Sequence, residues 1–556
     1  MHACDYSGEI GSHGRPLSTR QKSIGASMAA VNMAGLRGGA LPLAPLPSQF
    51  MMQALVRLIG RRCLRWFYRE CCFVGVERIP AHGPVLLIGN HWNDLPDPLS
   101  GFLSTPRPVQ YVATVSAATS PISQAVYRGL GIIPVTRVRD ARKIREQGVD
   151  AAAMNADAFR AVTTVLARGG VVGLFPEGGV HESPTLGDFR SGVAKMALNG
   201  SLNGSVKGVK VISFGMHYDA PRTPRSDMIV TISAPLLVDE WLAEPRQREL
   251  MMRASVVTPQ PPLAPTEPNS ANELPSPSTG REAAKLTFAM RDRMREALMS
   301  VTRNSTSWEL AESRDRMVAA VSAVICPPRD SVLEVASRIQ TACAHIAQTR
   351  ADTALAQADV TARTLTDLAD SITAAVVRAG GLQSSPRDTA RVLAAAGVEG
   401  GEPAWPSLTA TLITTPIGLL GWLLHGPAFA YIWWQAQRTA RDRTEIVARA
   451  FMPGLYLILS WYLALGVCFA VGLYAIGQAT WFAIPAVMLL PRLGDLALSW
   501  RDAIDALRLR RRVANWLESD RAPLRSSAGA LRVAWTSHIS GSAVKAVAHI
   551  AAEAST

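Results

Sequence analysis

Cysteine is scarce and scattered in this chain. Of 556 residues only seven are cysteine, and only Cys71 and Cys72 stand together. That pattern excludes a disulfide-stapled scaffold. The odd count, in a long chain with no secretory leader pattern, predicts reduced thiols on the cytosolic side. Acids are also short, with 44 Asp and Glu against 57 Lys and Arg, a net charge of +13. Such an excess favours an anionic partner. Zinc-finger spacing, RNA-binding signatures and basic tracts interleaved with aromatics are all missing. Their absence argues against nucleic acid and leaves a phospholipid surface.

The longest lack is of charge. Phe451–Pro491 runs for 41 residues without a charged side chain. One spanning helix needs about 20 apolar residues, so this run fits two antiparallel spans turning near Gly472–Gln478. Arg438, Arg441, Arg443 and Arg449 precede it, and Arg501, Arg508 and Arg510–Arg512 follow. Basic clusters at both ends predict a hairpin with both ends in the cytosol. Leu408–Trp434 is apolar too, but Pro416, His425 and Pro427 interrupt it. It reads as a third span, or as a re-entrant or interfacial pair.

The remaining chain divides by composition. Residues 1–48 are rich in Gly, Ser and Ala and read as disordered. Over 49–73, Arg57, Arg61, Arg65 and Arg69 recur every fourth residue, beside Leu55, Leu58, Trp66 and Phe67. That spacing predicts an amphipathic helix lying on an anionic lipid surface. Residues 74–238 alternate short apolar runs with helical stretches. Val85–Ile88, Val109–Ala113, Val171–Phe175, Val209–Phe214 and Met228–Ile232 read as strands, and Ala151–Leu166 as a helix. This alternation predicts an α/β domain with a mixed sheet. Residues 239–280 hold a helix end and a linker with seven prolines in Thr258–Gly280. Residues 281–400 are Ala-rich and helical, 401–515 form the membrane region with its hairpin at 451–491, and 516–556 are a tail.

The chemistry is concentrated in Gly89-Asn90-His91-Trp92-Asn93-Asp94-Leu95-Pro96-Asp97-Pro98, directly after an apolar strand. A carboxylate there can fix the imidazole tautomer, leaving the other ring nitrogen to take a proton from an alcohol. Asp97 and Asp94 are both candidates for that carboxylate; loop geometry decides between them, and Asp97 is favoured. A second Gly-rich turn, Gly173-Leu174-Phe175-Pro176-Glu177-Gly178-Gly179-Val180-His181, follows some eighty residues later.

With Gly131-Ile132-Ile133-Pro134-Val135-Thr136-Arg137, Phe189-Arg190-Ser191-Gly192 and the weaker Val211–Tyr218, these blocks resemble the glycerolipid acyltransferase superfamily. The superfamily's usual His-x4-Asp is lengthened here to His-x5-Asp. That spacing, with Glu177-Gly178-Gly179-Val180-His181, is similar to the fungal-type glycerol-3-phosphate/dihydroxyacetone-phosphate acyltransferases of eukaryotes. Ser213 departs from that branch, which has Pro there.

The resemblance implies a membrane-bound O-acyltransferase of the endoplasmic reticulum. It would move an acyl group from acyl-CoA, a co-substrate, to glycerol-3-phosphate or dihydroxyacetone phosphate, with no cofactor and no metal. His91 would be the general base and Asp97 its orienting partner. The acceptor would be bound by Arg137, Glu177, Gly178, Gly179, His181 and Arg190, with Lys195 a weaker candidate. A Gly-x-Ser-x-Gly elbow is missing, which argues against a covalent lipase-type route. Other lysophospholipid acceptors, lysophosphatidate among them, and a non-catalytic membrane scaffold are the alternatives.

Overall fold

A computed structural model describes residues 47–115, 121–137, 150–248, 280–305, 307–326, 331–349, 355–398, 405–440 and 445–538. The expected disordered start and most of the Pro-rich linker lie outside these residues. The chain divides into two compact units, residues 1–52 with 111–161, and residues 53–110 with 162–556.

In chain order the elements begin with α1 (Pro47–Phe67), β1 (Glu70–Val74), β2 (Val85–Gly89), α2 (Pro96–Leu103), β3 (Val109–Thr114), α3 (Pro121–Leu130) and β4 (Ile133–Val135). Next come α4 (Ala151–Ala167), β5 (Val171–Leu174), α5 (Ser191–Leu202), β6 (Lys210–Tyr218), β7 (Asp227–Ile232), β8 (Leu236–Leu237) and α6 (Val238–Ala243). Helices follow without strands: α7 (Gly280–Met299), α8 (Trp308–Ile325), α9 (Val332–Thr349), α10 (Leu355–Ala379) and α11 (Pro386–Ala395). The last four are α12 (Leu408–Thr439), α13 (Ile446–Ala475), α14 (Ala483–Ala514) and α15 (Glu518–His538).

In the smaller unit, β4 runs parallel to β3, with Val112 opposite Ile133. Asn155 of α4 clamps the strand exit. It accepts from the Thr136 N–H (2.9 Å) and donates to the Thr136 carbonyl (3.1 Å).

The larger unit carries a mixed sheet, as the alternation of runs predicts. β1 is parallel to β7, β7 antiparallel to β6, and β2 lies parallel to both β6 and β5. β2 is buried along its whole length. That suits its unbroken Val-Leu-Leu-Ile sequence, since a central parallel strand is covered on both faces. β6 runs four residues beyond Phe214, where the apolar run breaks at Gly215. The glycine is required there, because an added Cβ would collide with the Val301 carbonyl.

The expected interfacial helix over 49–73 needs correcting. Helix α1 ends at Phe67, and Glu70–Val74 is a strand paired with Asp227–Thr231. Four-residue spacing cannot distinguish the end of a helix from the start of an alternating Cys-Cys-Phe-Val strand. Two arginines of the stripe also turn inward. Arg57 donates to the carbonyls of Phe102 (3.0 Å) and Arg107 (2.5 Å), and Arg69 forks onto Asp227 and reaches Asp388. Met51, Leu55, Leu58, Arg61 and Arg65 stay exposed.

The helices from α8 to α11 build a core of Val321, Val324, Leu333, Ile339, Ile372, Val376 and Leu393, to which Cys72 of β1 and Ile229 of β7 belong. The Ala-rich region therefore covers one face of the sheet, and Ser337 and Thr231 share a hydrogen bond across the contact (2.7 Å). Residues beyond 515 are not merely a tail, for α15 buries Leu524, Ala528, Leu531 and Trp535. Among the described residues, α12, α13 and the stretch Thr480–Ala514 are each long and apolar enough to cross a membrane.

Arg225 ties the mixed sheet to the last of these apolar stretches. At φ 69° it is the one non-glycine residue with positive φ among those described. Its guanidinium caps the carbonyls of Arg65 and Tyr68 at the end of α1 and pairs with Asp502 of α14. Helix ends leave such carbonyls unpaired, and a basic side chain satisfies them.

Candidate active site

The site begins where β2 ends. The Asn90 carboxamide holds the Met216 backbone on β6, donating to its carbonyl (3.1 Å) and accepting its N–H (2.7 Å). This clamp sets the direction in which the chain leaves the sheet. The next N–H, that of His91, donates to Glu177 Oε1 (3.0 Å). The chain then turns into α2, which opens with Pro96, a residue pre-shaped for a first helical turn.

Asp97 lies in that first turn and is fully buried. Its Oδ2 accepts from the backbone N–H of Trp92 and of Asn93 (both 2.7 Å) and faces His91 Nδ1 at 2.9 Å. Its Oδ1 accepts from the Tyr218 hydroxyl. A buried carboxylate without partners costs several kcal/mol. Four converging donors and the positive end of α2 offset that cost. With Oδ2 as acceptor, Nδ1 carries the ring proton, so Nε2 holds a lone pair. The ring stacks on Phe175 with centroids 4.1 Å apart, and the side chain is 13% exposed. Nε2 is thus the ring nitrogen that Asp97 leaves open. The rival Asp94 is exposed.

Tyr218 is the residue that sequence reasoning missed. It is buried, and burial, followed by the charge of Asp97 and the neighbouring Tyr68, pushes its hydroxyl well above the ordinary tyrosine range. It therefore stays protonated and donates. Its signal was available, since Phe214, Met216 and Tyr218 alternate along one face of β6. His217 points to the other face, 3.7 Å from Asp219. Burial and the Arg303 charge push it well below the usual histidine range.

The second turn leaves β5 at Phe175-Pro176-Glu177-Gly178. Gly178 has φ 73°, a conformation that side chains disfavour, and its N–H closes onto the Phe175 carbonyl (3.1 Å). Gly179 is not among the residues with positive φ. Glu177 is nearly inaccessible and engaged on both oxygens. Oε1 holds His91, while Oε2 accepts the Gly187 N–H (2.6 Å) and meets the His181 ring. It thereby braces the two turns against each other. The bond to Glu177 raises His181 above its ordinary value, while burial pulls the other way. The Ser183 N–H donates to His181 Nδ1 (3.2 Å), a bond that only the neutral ring can accept.

Arg190 is exposed at the N-terminus of α5, with its side chain lying over Gly178. Lys195 is exposed on the same helix. The larger unit thus brings His91, Asp97, Glu177, Gly178, His181 and Arg190 into linked turns. Arg137 belongs to the smaller unit, where it follows the clamped Thr136.

The helical region closes onto the second turn. Asn304 accepts the Leu186 N–H (3.0 Å), the Ser305 N–H reaches the Pro184 carbonyl (3.1 Å), and Trp308 stands 6.2 Å from Trp92.

Similarity to known proteins is found over part of the chain. A family model described as Acyltransferase matches residues 70–217. Glycerol-3-phosphate O-acyltransferase 2 of Saccharomyces cerevisiae is 36% identical over 85 residues, 15% of this chain and 11% of that protein. An uncharacterized acyltransferase of Schizosaccharomyces pombe is 32% identical over 80 residues, 14% of this chain and 12% of that protein. The chain thus matches only about an eighth or less of the length of these curated relatives. The crystal structure of the 1-acyl-sn-glycerophosphate acyltransferase PlsC from Thermotoga maritima aligns with 37% of this chain and 81% of its own, at 16% identity and a TM-score of 0.26. Residues 70–217 thus match the Acyltransferase family, in keeping with the glycerolipid acyltransferase resemblance of the sequence blocks.

Proposed function

We propose that the protein transfers an acyl group from acyl-CoA to the sn-1 hydroxyl of glycerol-3-phosphate or dihydroxyacetone phosphate, on the cytosolic face of the endoplasmic reticulum. The observation that carries this reading is the buried Asp97, oriented by the Trp92 and Asn93 N–H groups and the Tyr218 hydroxyl and directed at His91 Nδ1. As the acceptor hydroxyl attacks the thioester carbonyl, His91 Nε2 takes its proton. The tetrahedral intermediate collapses by breaking the carbon–sulfur bond, and the proton passes to the departing thiolate. Thiolate is a good leaving group, so no covalent acyl-enzyme is needed.

Arg190 would hold the acceptor phosphate, since a guanidinium matches phosphate bidentately, and Arg137 of the smaller unit is a separate phosphate-binding candidate by resemblance. His181 and the backbone at Gly178 and Gly179 would line the pocket around Arg190. Glu177 acts indirectly, by holding the His91 backbone and His181. This role answers the repulsion that a carboxylate beside an anionic substrate would otherwise cause.

Purified membranes assayed with acyl-CoA and, in parallel, glycerol-3-phosphate, dihydroxyacetone phosphate and lysophosphatidate test the reading. Transfer to either of the first two is expected. Transfer to lysophosphatidate alone would move the protein to the alternative acceptor class. No transfer to any acceptor would favour a scaffold.

A further inference from the structure

By length and hydropathy α12 passes for a third membrane span, but its contacts place it differently. Helices α13 and α14 form a hairpin around the turn at Ile476–Ala479, so distance from that turn measures depth along the hairpin. The N-terminal half of α12 descends along α14. Thr415 accepts from Trp500 Nε1 (3.1 Å), and a Cβ on Gly421 would lie 2.6 Å from the Leu493 carbonyl and 2.9 Å from Ala497. At the next turn a Cβ on Gly494 would lie 3.2 Å from the His425 ring.

The C-terminal half then climbs along α13, not further along α14. Trp461 Nε1 donates to the Leu424 carbonyl (2.7 Å), His425 Nε2 pairs with the Tyr462 hydroxyl (3.1 Å), and Ile432 packs on Gly454. Trp500 and Gly454 each lie about 20 residues from the turn, or about 30 Å of helix. Tyr462 and Gly494 lie only about 14 residues from it, or about 20 Å. Helix α12 thus reaches its deepest level at His425 and is shallow at both ends.

Two further observations agree. Pro427 follows that point, where a proline removes a helical hydrogen bond and bends the chain. The Leu424 carbonyl, next to the Leu423 carbonyl that Pro427 leaves without its helical donor, accepts from Trp461 Nε1. Both flanks also lie beside the ends of the hairpin helices that are farthest from the turn. Arg510 of the polar end of α14 lies over Trp405 (5.5 Å), and Phe67 of α1 packs against Trp433 (5.9 Å) and Phe451 (5.7 Å).

We propose that Leu408–Thr439 is a re-entrant arch. It enters the bilayer, bends at His425–Pro427 and returns to the face it entered from, with lipid covering its outer side. Leu412, Ile413, Ile417, Leu420 and Leu423 are exposed on it, an apolar surface that water would not favour. A helical backbone at membrane depth has its polar groups satisfied internally. The arch would wedge the base of the hairpin apart and seat the end of α1 against Trp433. This inference is independent of the acyl-transfer reading.

The test uses full-length protein in sealed vesicles, with the natural cysteines replaced and single cysteines introduced at Ser407→Cys or Ala440→Cys. A membrane-impermeant maleimide is added before and after permeabilisation. Both positions should label from the same side, as should the neighbouring pair Pro406→Cys and Thr439→Cys if either first variant misfolds. Labelling of 407 and 440 from opposite sides would make α12 a full span and overturn the arch.

Discussion

His91 and His425 are both histidines packed among aromatic rings, and they teach opposite lessons. His91 stacks on Phe175, and His425 meets the edge of Tyr462. The difference lies in their partners. His91 Nδ1 faces the Asp97 carboxylate, and among the described residues no hydrogen bond holds its Nε2. His425 has both nitrogens engaged, one with the Gly421 carbonyl (2.8 Å) and the other with Tyr462. One ring has a lone pair left for a substrate, and the other spends its hydrogen bonds holding two helices together. A buried histidine is therefore a base only where a carboxylate orients it and one nitrogen remains open.

The largest expected effect breaks this comparison outright. His91→Ala should lower acyl transfer by roughly 10²–10⁴-fold, the range that a general base contributes, and Asp97→Asn should be severely impaired. Asp94→Asn and His425→Gln should keep most of the activity. Steady-state assays on washed membranes decide this. A dead Asp94→Asn beside an active Asp97→Asn would reverse the assignment of the orienting carboxylate.

A smaller effect sharpens the same contrast. Tyr218→Phe removes one of four donors to Asp97, a charge-assisted bond worth about 1.5–3 kcal/mol. The turnover number should fall by roughly tenfold or more, with little change in the Michaelis constants. A purely structural role for Tyr218 would instead lower the amount of folded protein and leave the turnover of what remains unchanged.

The smallest effect concerns His181. Its value is raised in the folded protein, so its stabilising contribution is complete below the ordinary value of 6.5 and is lost as pH rises through the raised value. His181→Gln should flatten the pH dependence of the unfolding midpoint across that window by less than about 2 °C. Midpoints that rise with pH in the wild type and lose that rise in the variant would contradict the sign.

Much of the site was legible because it is local. His91, Asp97 and the Gly/Pro turns lie within single loops, so spacing alone brought the carboxylate within reach of the imidazole. The five strands read from apolar runs all occur, since each is a short buried segment with its own composition. Strand β1 was misread because its cysteines continue a helical spacing. Strand β6 was cut short because Gly215 interrupts the run where another segment approaches.

Composition by itself determined that this chain has a mixed α/β domain, a helical region and apolar helices long enough for a bilayer. These properties follow from local periodicity and from the absence of charge. Tertiary structure alone decided that Tyr218 completes the Asp97 site across 121 residues. It also turned Arg57 and Arg69 inward, laid the Ala-rich helices on β1 and β7, and set the second half of α12 against α13. Each of these depends on which surfaces meet. A stripe of arginines or a run of leucines has the same spacing whether lipid or protein covers it.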